Sequence, residues 1–342
     1  MLLPLAPEPT MTAGLSGKTY LVTGGAGFIG SHVARALLSG GARVIVLDDF
    51  NDFYEPRLKE ANVRPLLDHP GFRVQRADIR DTAAVRAIVS EAAPALADGA
   101  ILHLAARAGV RPSLAEPRLY LETNVTGTLN LVEAAREFGV RKFVFASSSS
   151  VYGERSADGG PFREDQHVSK PISPYASTKV MGESLLHTYS HLHGLRVVAL
   201  RFFTVYGPAQ RPDLAIHKFT RLIDRGQTVP VFGDGSTQRD YTYVDDIVQG
   251  VLAALEYEQS RFEIFNLGES RTVRLSRLIE LIEQALGKKA LIERQPLQPG
   301  DVPLTYADIS KARRLLGYEP ATPIEEGIQR FVAWHLEQQA AP

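Results

Sequence analysis

The sequence predicts an α/β chain: a doubly wound, mostly parallel sheet followed by a smaller mixed C-terminal lobe. Three observations predict it. Short apolar, β-branched runs alternate with segments of helical periodicity from residue 19 to residue 202. A glycine-rich turn joins the first such run to the first helical segment. Beyond about residue 205 the texture changes, with frequent Pro, Gly and Asp and with helices separated by short strands.

In order, residues 19–23 read as a buried strand, 31–39 as a helix and 43–47 as a second strand. A strand at 72–75 precedes a helix at 82–93 that Asp81 is placed to cap. Residues 100–104 form a strand, 124–138 a helix, 142–147 a strand, 174–193 a helix and 196–202 a strand. In the second lobe, helices are expected at 216–225 and 275–286 and a strand at 262–267. The domain plan is a loose extension over 1–17, a nucleotide-binding unit over 18–204, and a substrate lobe over 205–342 that is discontinuous and returns in part to the first unit.

Composition narrows the function classes. At 44% hydrophobic and 23% charged residues the 342-residue chain has the balance of a globular protein, which excludes long disorder. A net charge of -1 gives no electrostatic case for a nucleic acid or an anionic membrane as partner. The absence of cysteine excludes disulfides, thiolate catalysis and cysteine-ligated metals, and no metal is expected. No apolar stretch is long enough to span a bilayer. Residues 1–16 carry three prolines and Glu8 without a basic segment, a poor signal peptide, so a cytoplasmic protein is expected, with Met11 an alternative start.

Gly24-Gly25-Ala26-Gly27-Phe28-Ile29-Gly30 lies between the first strand and first helix. Gly24 permits the tight turn, Gly27 lets backbone approach a pyrophosphate at a helix N-terminus, and Gly30 allows close helix–strand packing. Such a pattern alone also fits an ordinary βα turn. Its position decides, because Asp48 closes the next strand, where an acid accepts hydrogen bonds from the adenosine ribose and repels a 2′-phosphate. The expectation is a Rossmann-type site for NAD rather than NADP. Asp78, after the third strand, is read as an adenine-side contact or, equally, as a turn cap.

Ser173-Pro174 is a helix start, which places Tyr175 in the first turn and Lys179 four residues on, on the same face. An ammonium beside a phenol stabilises the phenolate, so Tyr175 can serve as a base near neutral pH. One Tyr-x-x-x-Lys pair is common by chance; Ser147-Ser148-Ser149-Ser150, at the C-terminal end of a predicted strand, adds weight because open α/β sheets bind ligands at that edge.

With these residues the chain resembles the extended short-chain dehydrogenases/reductases, the NAD-dependent sugar epimerases and dehydratases, from about residue 18 to 335. The resemblance is carried by Gly24/Gly27/Gly30, His103-Leu-Ala-Ala106, the serine run before Val151-Tyr152-Gly153, Tyr175/Lys179, Arg201-Phe-Phe-Thr204 with Val205-Tyr206-Gly207, and Gly233-Asp-Gly-Ser-Thr-Gln-Arg-Asp-Tyr241. It implies that Ser148 completes a triad with Tyr175 and Lys179. It also implies that Leu104, Ala105, Ala106, Arg107 and Asn124 line the cofactor groove, with Phe28, Ile29, Asn51, Ile79 and Phe202 beside the dinucleotide. A homodimer through a four-helix bundle of segments 119–138 and 175–193 is implied as well.

The resemblance further implies a first step in which NAD⁺ takes hydride from sugar C4 while Tyr175 takes the hydroxyl proton. Similar 4,6-dehydratases carry Asp-Glu before the Val-Tyr-Gly, and similar decarboxylases carry Glu at the second position. Here both positions are serine, Ser149 and Ser150, which favours simple C4 epimerisation. Segments 47–54, 107–113, 207–213 and 215–219 are similar to those of epimerases acting on UDP-glucuronate. That likeness implies conversion to UDP-galacturonate, with Arg211 facing the carboxylate or, alternatively, held in a surface salt bridge. Thr204 stands where galactose epimerases carry Asn. Arg239 is implied at the diphosphate, Val231 and Phe232 around uracil, Asp301 on the uridine side, and Arg111 in the substrate-binding set. Gln298 stands near where many relatives place an Arg. A UDP-glucose 4-epimerase and a non-catalytic dinucleotide-binding sensor are the alternatives.

Overall fold

The computed structural model of the chain describes residues 13–153, 160–296 and 304–340. Its first half is a strand–helix alternation. β1 (Thr19–Thr23), α1 (Phe28–Ser39), β2 (Arg43–Asp48), α2 (Pro56–Val63), β3 (Phe72–Arg76), α3 (Thr82–Ala92) and β4 (Ala100–His103) are followed by short helices α4 (Val110–Ala115) and α5 (Pro117–Leu121). Then come α6 (Gly127–Glu137), β5 (Lys142–Ser148), α7 (Pro174–His193) and β6 (Arg196–Phe202). The second half runs β7 (Thr204–Tyr206), α8 (Ala215–Asp224), β8 (Thr228–Phe232), β9 (Gln238–Arg239), β10 (Tyr241–Tyr243), α9 (Val244–Glu256) and β11 (Phe262–Leu267). It ends with β12 (Val273–Arg274), α10 (Leu275–Leu286), β13 (Leu291–Gln295), β14 (Leu304–Thr305), α11 (Ser310–Leu316) and α12 (Ile324–Ala340).

Seven strands form one sheet in the order β3-β2-β1-β4-β5-β6-β11, and every adjacent pair is parallel. One apolar core lies between the sheet and α3, α6 and α7, with Val85, Val89, Leu131, Phe143, Phe145 and Leu186 at its centre. The other face is covered by α1 and α9, and its core continues into the second lobe. Strand order reverses between β1 and β4, so the connections leave in opposite directions and open a crevice at the C-terminal edge. Thr23, Asp48, His103, Ser148 and Phe202 end strands along that edge.

The helix ends follow their local chemistry. Asp81 accepts from the amides of Ala83 and Ala84 at the start of α3. Ser173 accepts from Ala176 at the start of α7, Pro174 occupies its first turn, and Gly194 closes it in the left-handed conformation at φ 71. α1 starts at Phe28, earlier than its periodicity predicts, because Gly27 has no side chain to announce the cap. The helix expected over 124–138 is split: Glu122–Thr126 forms a π turn and α6 begins at Gly127. A Cβ on Gly127 would stand 2.6 Å from Ile79 Cδ1, so this helix approaches β3's loop more closely than any other residue allows.

The second lobe is built of small sheets: parallel pairs β7–β10 and β8–β13, and β9 between antiparallel β12 and parallel β14. Two elements beyond residue 204 belong to the first core, β11 as the sheet's last strand and α9 against α1. Among the described residues no helix is long and apolar enough to cross a membrane.

Candidate active site

The crevice encloses a cavity of about 470 Å³ that reaches from the glycine turn to the second lobe. At one end stand Gly24, Gly27, Phe28, Ile29 and Gly30. Gly24 turns with φ +68, and a Cβ there would lie 2.7 Å from Ala105 N. A Cβ on Gly30 would lie 2.2 Å from Gly24 O, so the helix meets the turn only because residue 30 is glycine. Gly27 caps α1 with no side-chain hydrogen bond, which leaves first-turn amides for an anion. A glycine cradle of this shape above a long apolar-walled crevice fits a dinucleotide.

Asp48 is buried at the end of β2. Its carboxylate accepts from Ala26 N at 3.1 Å and Phe50 N at 2.9 Å. Burial pushes its pKa up, opposed by those amides and by the charge of Lys59. Asp78 also lines the cavity, but its carboxylate is forked by Arg80 at 2.6–3.1 Å, so the capping role read from sequence is present in the structure. Asn51, Ile79, Leu104, Ala105, Ala106, Arg107 and Phe202 line the same cavity.

Asn124 does not. It is buried behind the wall, where Oδ1 accepts from Arg107 N (2.8 Å) and Nδ2 donates to Arg107 O (2.9 Å) and Thr178 Oγ1 (3.0 Å). The amide is spent on protein, so the expected lining role is replaced by a clamp between the loop after β4 and α7. His103 is likewise structural: buried between Thr23 Oγ1 and Thr128 Oγ1, it is held neutral by burial, with its pKa lowered to about 3.

At the centre stand Tyr175 and Lys179, one turn apart on α7, with Nζ 5.9 Å from the phenol ring centroid. Nζ donates to Ala146 O at 2.6 Å. Burial lowers the Lys179 pKa to about 7, opposed by the charge of Glu183. Burial raises that of Tyr175, opposed by the Ser148 hydroxyl and the Arg211 charge. Ser148 Oγ donates to Ser150 Oγ at 3.1 Å, and Ser148, Ser149, Ser150 and Thr204 all face the cavity. Sequence reasoning missed Glu183, a further turn down the same helix. It takes hydrogen bonds from Ser147 Oγ and from Arg201 Nε and Nη2, the latter two at 2.9 and 2.8 Å.

Arg211 lines the cavity too, and its partner is Asp213, bound through Nε at 2.9 Å and Nη2 at 2.7 Å. The salt bridge weighed from sequence therefore exists, but inside the crevice, with Nη1 left unpartnered among the described residues. A guanidinium with this counter-ion is not penalised by a neutral sugar as an unpaired one would be, so the pair leaves room for UDP-glucose as an alternative substrate. Phe53, Tyr54 and Lys59 also line the cavity and were not legible as site residues. The signal that would find them is the Asp/Asn-rich run from Asp48 to Asp52, a turn-forming loop hung on the ribose-side acid.

Arg111 of α4 meets Phe232 of β8 in the second lobe, the guanidinium 4.7 Å from the ring centroid. Val231 points the other way, into the core, because successive strand residues alternate faces, so its expected contact with uracil is withdrawn. Arg239 lies on β9 and donates to Gln238 O. Asp301 and Gln298 lie outside the described residues, as does Met11.

The family model described as GDP-mannose 4,6 dehydratase matches residues 21–331. The chain belongs to this family, within the extended short-chain dehydrogenases/reductases. It is similar to the UDP-glucuronate 4-epimerase of Thermodesulfobacterium geofontis (strain OPF15), 44% identical over 93% of this chain and 96% of the relative. The fold is similar to that of UDP-glucuronic acid 4-epimerase from Bacillus cereus in complex with UDP-glucuronic acid and NAD, at 36% identity, TM-score 0.86, and coverage of 94% and 99%. It is also similar to UDP-glucose 4-epimerase from Thermotoga maritima with UDP-glucose, at 34% identity, TM-score 0.85, and coverage of 94% and 99%. The family includes dehydratases, yet Ser149 and Ser150 supply no carboxylic acid for an elimination.

Proposed function

We propose that the protein interconverts UDP-glucuronate and UDP-galacturonate by epimerisation at C4. One observation carries the reading: a single crevice joins the glycine cradle, the Tyr175–Lys179 pair with Ser148, and Arg211 beside Thr204, Ser149 and Ser150. When bound, NAD⁺ would supply a reversible hydride acceptor for C4. Asp48, Lys179 and the glycine turn would hold it, and Asp48 would select it over NADP.

Tyr175, as phenolate stabilised by the Lys179 ammonium, takes the C4 hydroxyl proton; together with loss of the C4 hydride to the bound cofactor this would leave a 4-keto sugar, and Ser148 orients the C4 oxygen. The keto sugar turns over in the crevice so that its opposite face is presented for hydride return at C4, and Tyr175 gives the proton back to the C4 oxygen. The free Nη1 of Arg211, with Thr204, Ser149 and Ser150, binds the C6 carboxylate and keeps it near the ring plane. That geometry matters because a β-keto acid loses CO₂ when its carboxylate stands perpendicular to the ring. Arg111, Phe232 and Arg239 meet the UDP moiety.

The second reading, a UDP-glucose 4-epimerase, is favoured by the Asp213 counter-ion on Arg211. Product analysis with both sugars separates them. Arg211→Ala should lower kcat/KM for UDP-glucuronate by about one to two orders of magnitude, the range expected when a charged hydrogen bond is lost. Equal turnover of both sugars by the wild type, or an unaffected Arg211→Ala variant, overturns the carboxylate assignment.

We also propose a cytoplasmic homodimer. Leu121, Leu129, Met181 and Leu192 are exposed on α5, α6 and α7, the helices of the expected four-helix interface. Cell fractionation tests the location.

A further inference from the structure

The loop between β2 and α2 runs from the ribose-side acid to the sugar-side guanidinium, and side chains brace it against its own backbone. Asp48 Oδ1 accepts from Phe50 N at 2.9 Å. Asp49 Oδ1 accepts from Asn51 N at 3.0 Å and Asn51 Nδ2 at 2.6 Å, and Asn51 Oδ1 accepts from Phe53 N at 3.1 Å. The buried Lys59 donates to Asn51 O at 3.0 Å. Phe50 sits at φ 50, a conformation bulky residues avoid, with the Arg76 guanidinium 4.3 Å from its ring centroid. These ties fix the course of the loop from Asp48 to Phe53.

At the end of this chain of bonds the Phe53 ring meets two guanidinium groups: Arg107 at 5.6 Å and Arg211 at 5.1 Å from its centroid. Arg107 belongs to the segment that Asn124 clamps to α7, while Arg211 belongs to the second lobe. The electron-rich π-system of the ring attracts each guanidinium. Asp213 fixes two N–H donors of Arg211; the ring constrains the rest of the guanidinium.

We infer that Phe53 is a positioning residue for Arg211 and thereby a determinant of carboxylate selectivity, the braced loop tying the sugar site to the ribose-side acid. This rests on the carboxylate role proposed for Arg211. The ring itself need not touch substrate: it sets where the free donors of Arg211 lie, so its loss should weaken the binding of a uronate and leave a neutral sugar alone.

The test compares Phe53→Leu, which keeps an apolar side chain without a π-face, with Phe53→Tyr, Arg211→Ala and the Phe53→Leu/Arg211→Ala double variant. KM and kcat are measured for UDP-glucuronate and UDP-glucose, with calorimetric Kd where a sugar is bound but not turned over, and with the NAD content of each protein. Phe53→Leu should raise KM for UDP-glucuronate about tenfold, with kcat nearly constant, and leave UDP-glucose unchanged. Phe53→Tyr should restore wild-type behaviour, and the double variant should match Arg211→Ala. An equal loss for both sugars, a Phe53→Leu variant indistinguishable from wild type, or fully additive effects in the double variant overturns the inference. An Arg211→Ala variant that keeps full affinity for UDP-glucuronate overturns the carboxylate reading instead, and that outcome is read without any Phe53 substitution.

Discussion

Burial acts on Tyr175 and Lys179 in opposite chemical senses, raising the phenol and lowering the amine to about 7. Both shifts favour neutral groups, so the phenolate–ammonium pair depends on the charges placed around it. Tyr175→Phe removes only the hydroxyl; NAD content and fold should persist while turnover falls by about 10²–10⁴-fold, read from initial rates. Glu183 bears on the other partner. Its negative charge favours the ammonium, so with Glu183→Gln the Lys179 amine loses its proton at lower pH. The alkaline limb of the kcat/KM profile should therefore move to lower pH, and a limb that stays in place or moves up counts against this. The same substitution leaves Arg201 buried without its counter-ion, which should cost about 3–5 kcal/mol in denaturant unfolding. Tyr175 and Lys179 were legible because cap, spacing and a serine-ended strand coincide. Glu183 was not, since a lone glutamate in a helix ordinarily faces water; its spacing of four from Lys179 is the only local sign.

Among the elements, the β1–α1 turn is tightly specified. A methyl on Gly30 cannot be accommodated at 2.2 Å from a backbone oxygen, so Gly30→Ala must push α1 away from β1. We expect NAD to be lost on purification and unfolding stability to fall by about 1–3 kcal/mol. Retention of stoichiometric NAD by that variant would show that the turn is not the cradle. Helices with side-chain caps, α3 and α7, could be read from sequence nearly to the residue. The π turn at Glu122–Thr126 could not: no Pro or Gly lies within it, and its reason is tertiary, the reach of Asn124 to Arg107 and Thr178. Val231 and Phe232 show a misreading of another kind, since adjacent residues on one strand cannot both face a base.

At the level of the whole molecule, the parallel sheet was legible because each strand carries its own apolar run. The small sheets of the second lobe were less so; β8 and β13 pair across about sixty residues, and nothing in either names the other. Light scattering at micromolar concentration should give twice the 37.5 kDa chain mass, and Met181→Glu, placing a charge on the exposed face of α7, should shift the population to monomer. A monomeric wild type would refute the assembly. Purified protein should also carry NAD, because a cofactor that regains its starting state each cycle has no need to leave; preferential binding of NADP would contradict the role given to Asp48.

The sheet's last strand has a consequence for biosynthesis. β6 is complete at Phe202, but its outer neighbour β11 begins only at Phe262, about sixty residues later in the chain. At translation rates of about 5–20 residues per second, the outer hydrogen bonds of β6 stay open for roughly 3–12 s on every nascent chain. During that time the first half displays an apolar strand edge that any other strand can join. A gene fragment ending near residue 204 would freeze this state permanently, and such a fragment should collect in inclusion bodies, while the full-length chain closes its own edge as it leaves the ribosome.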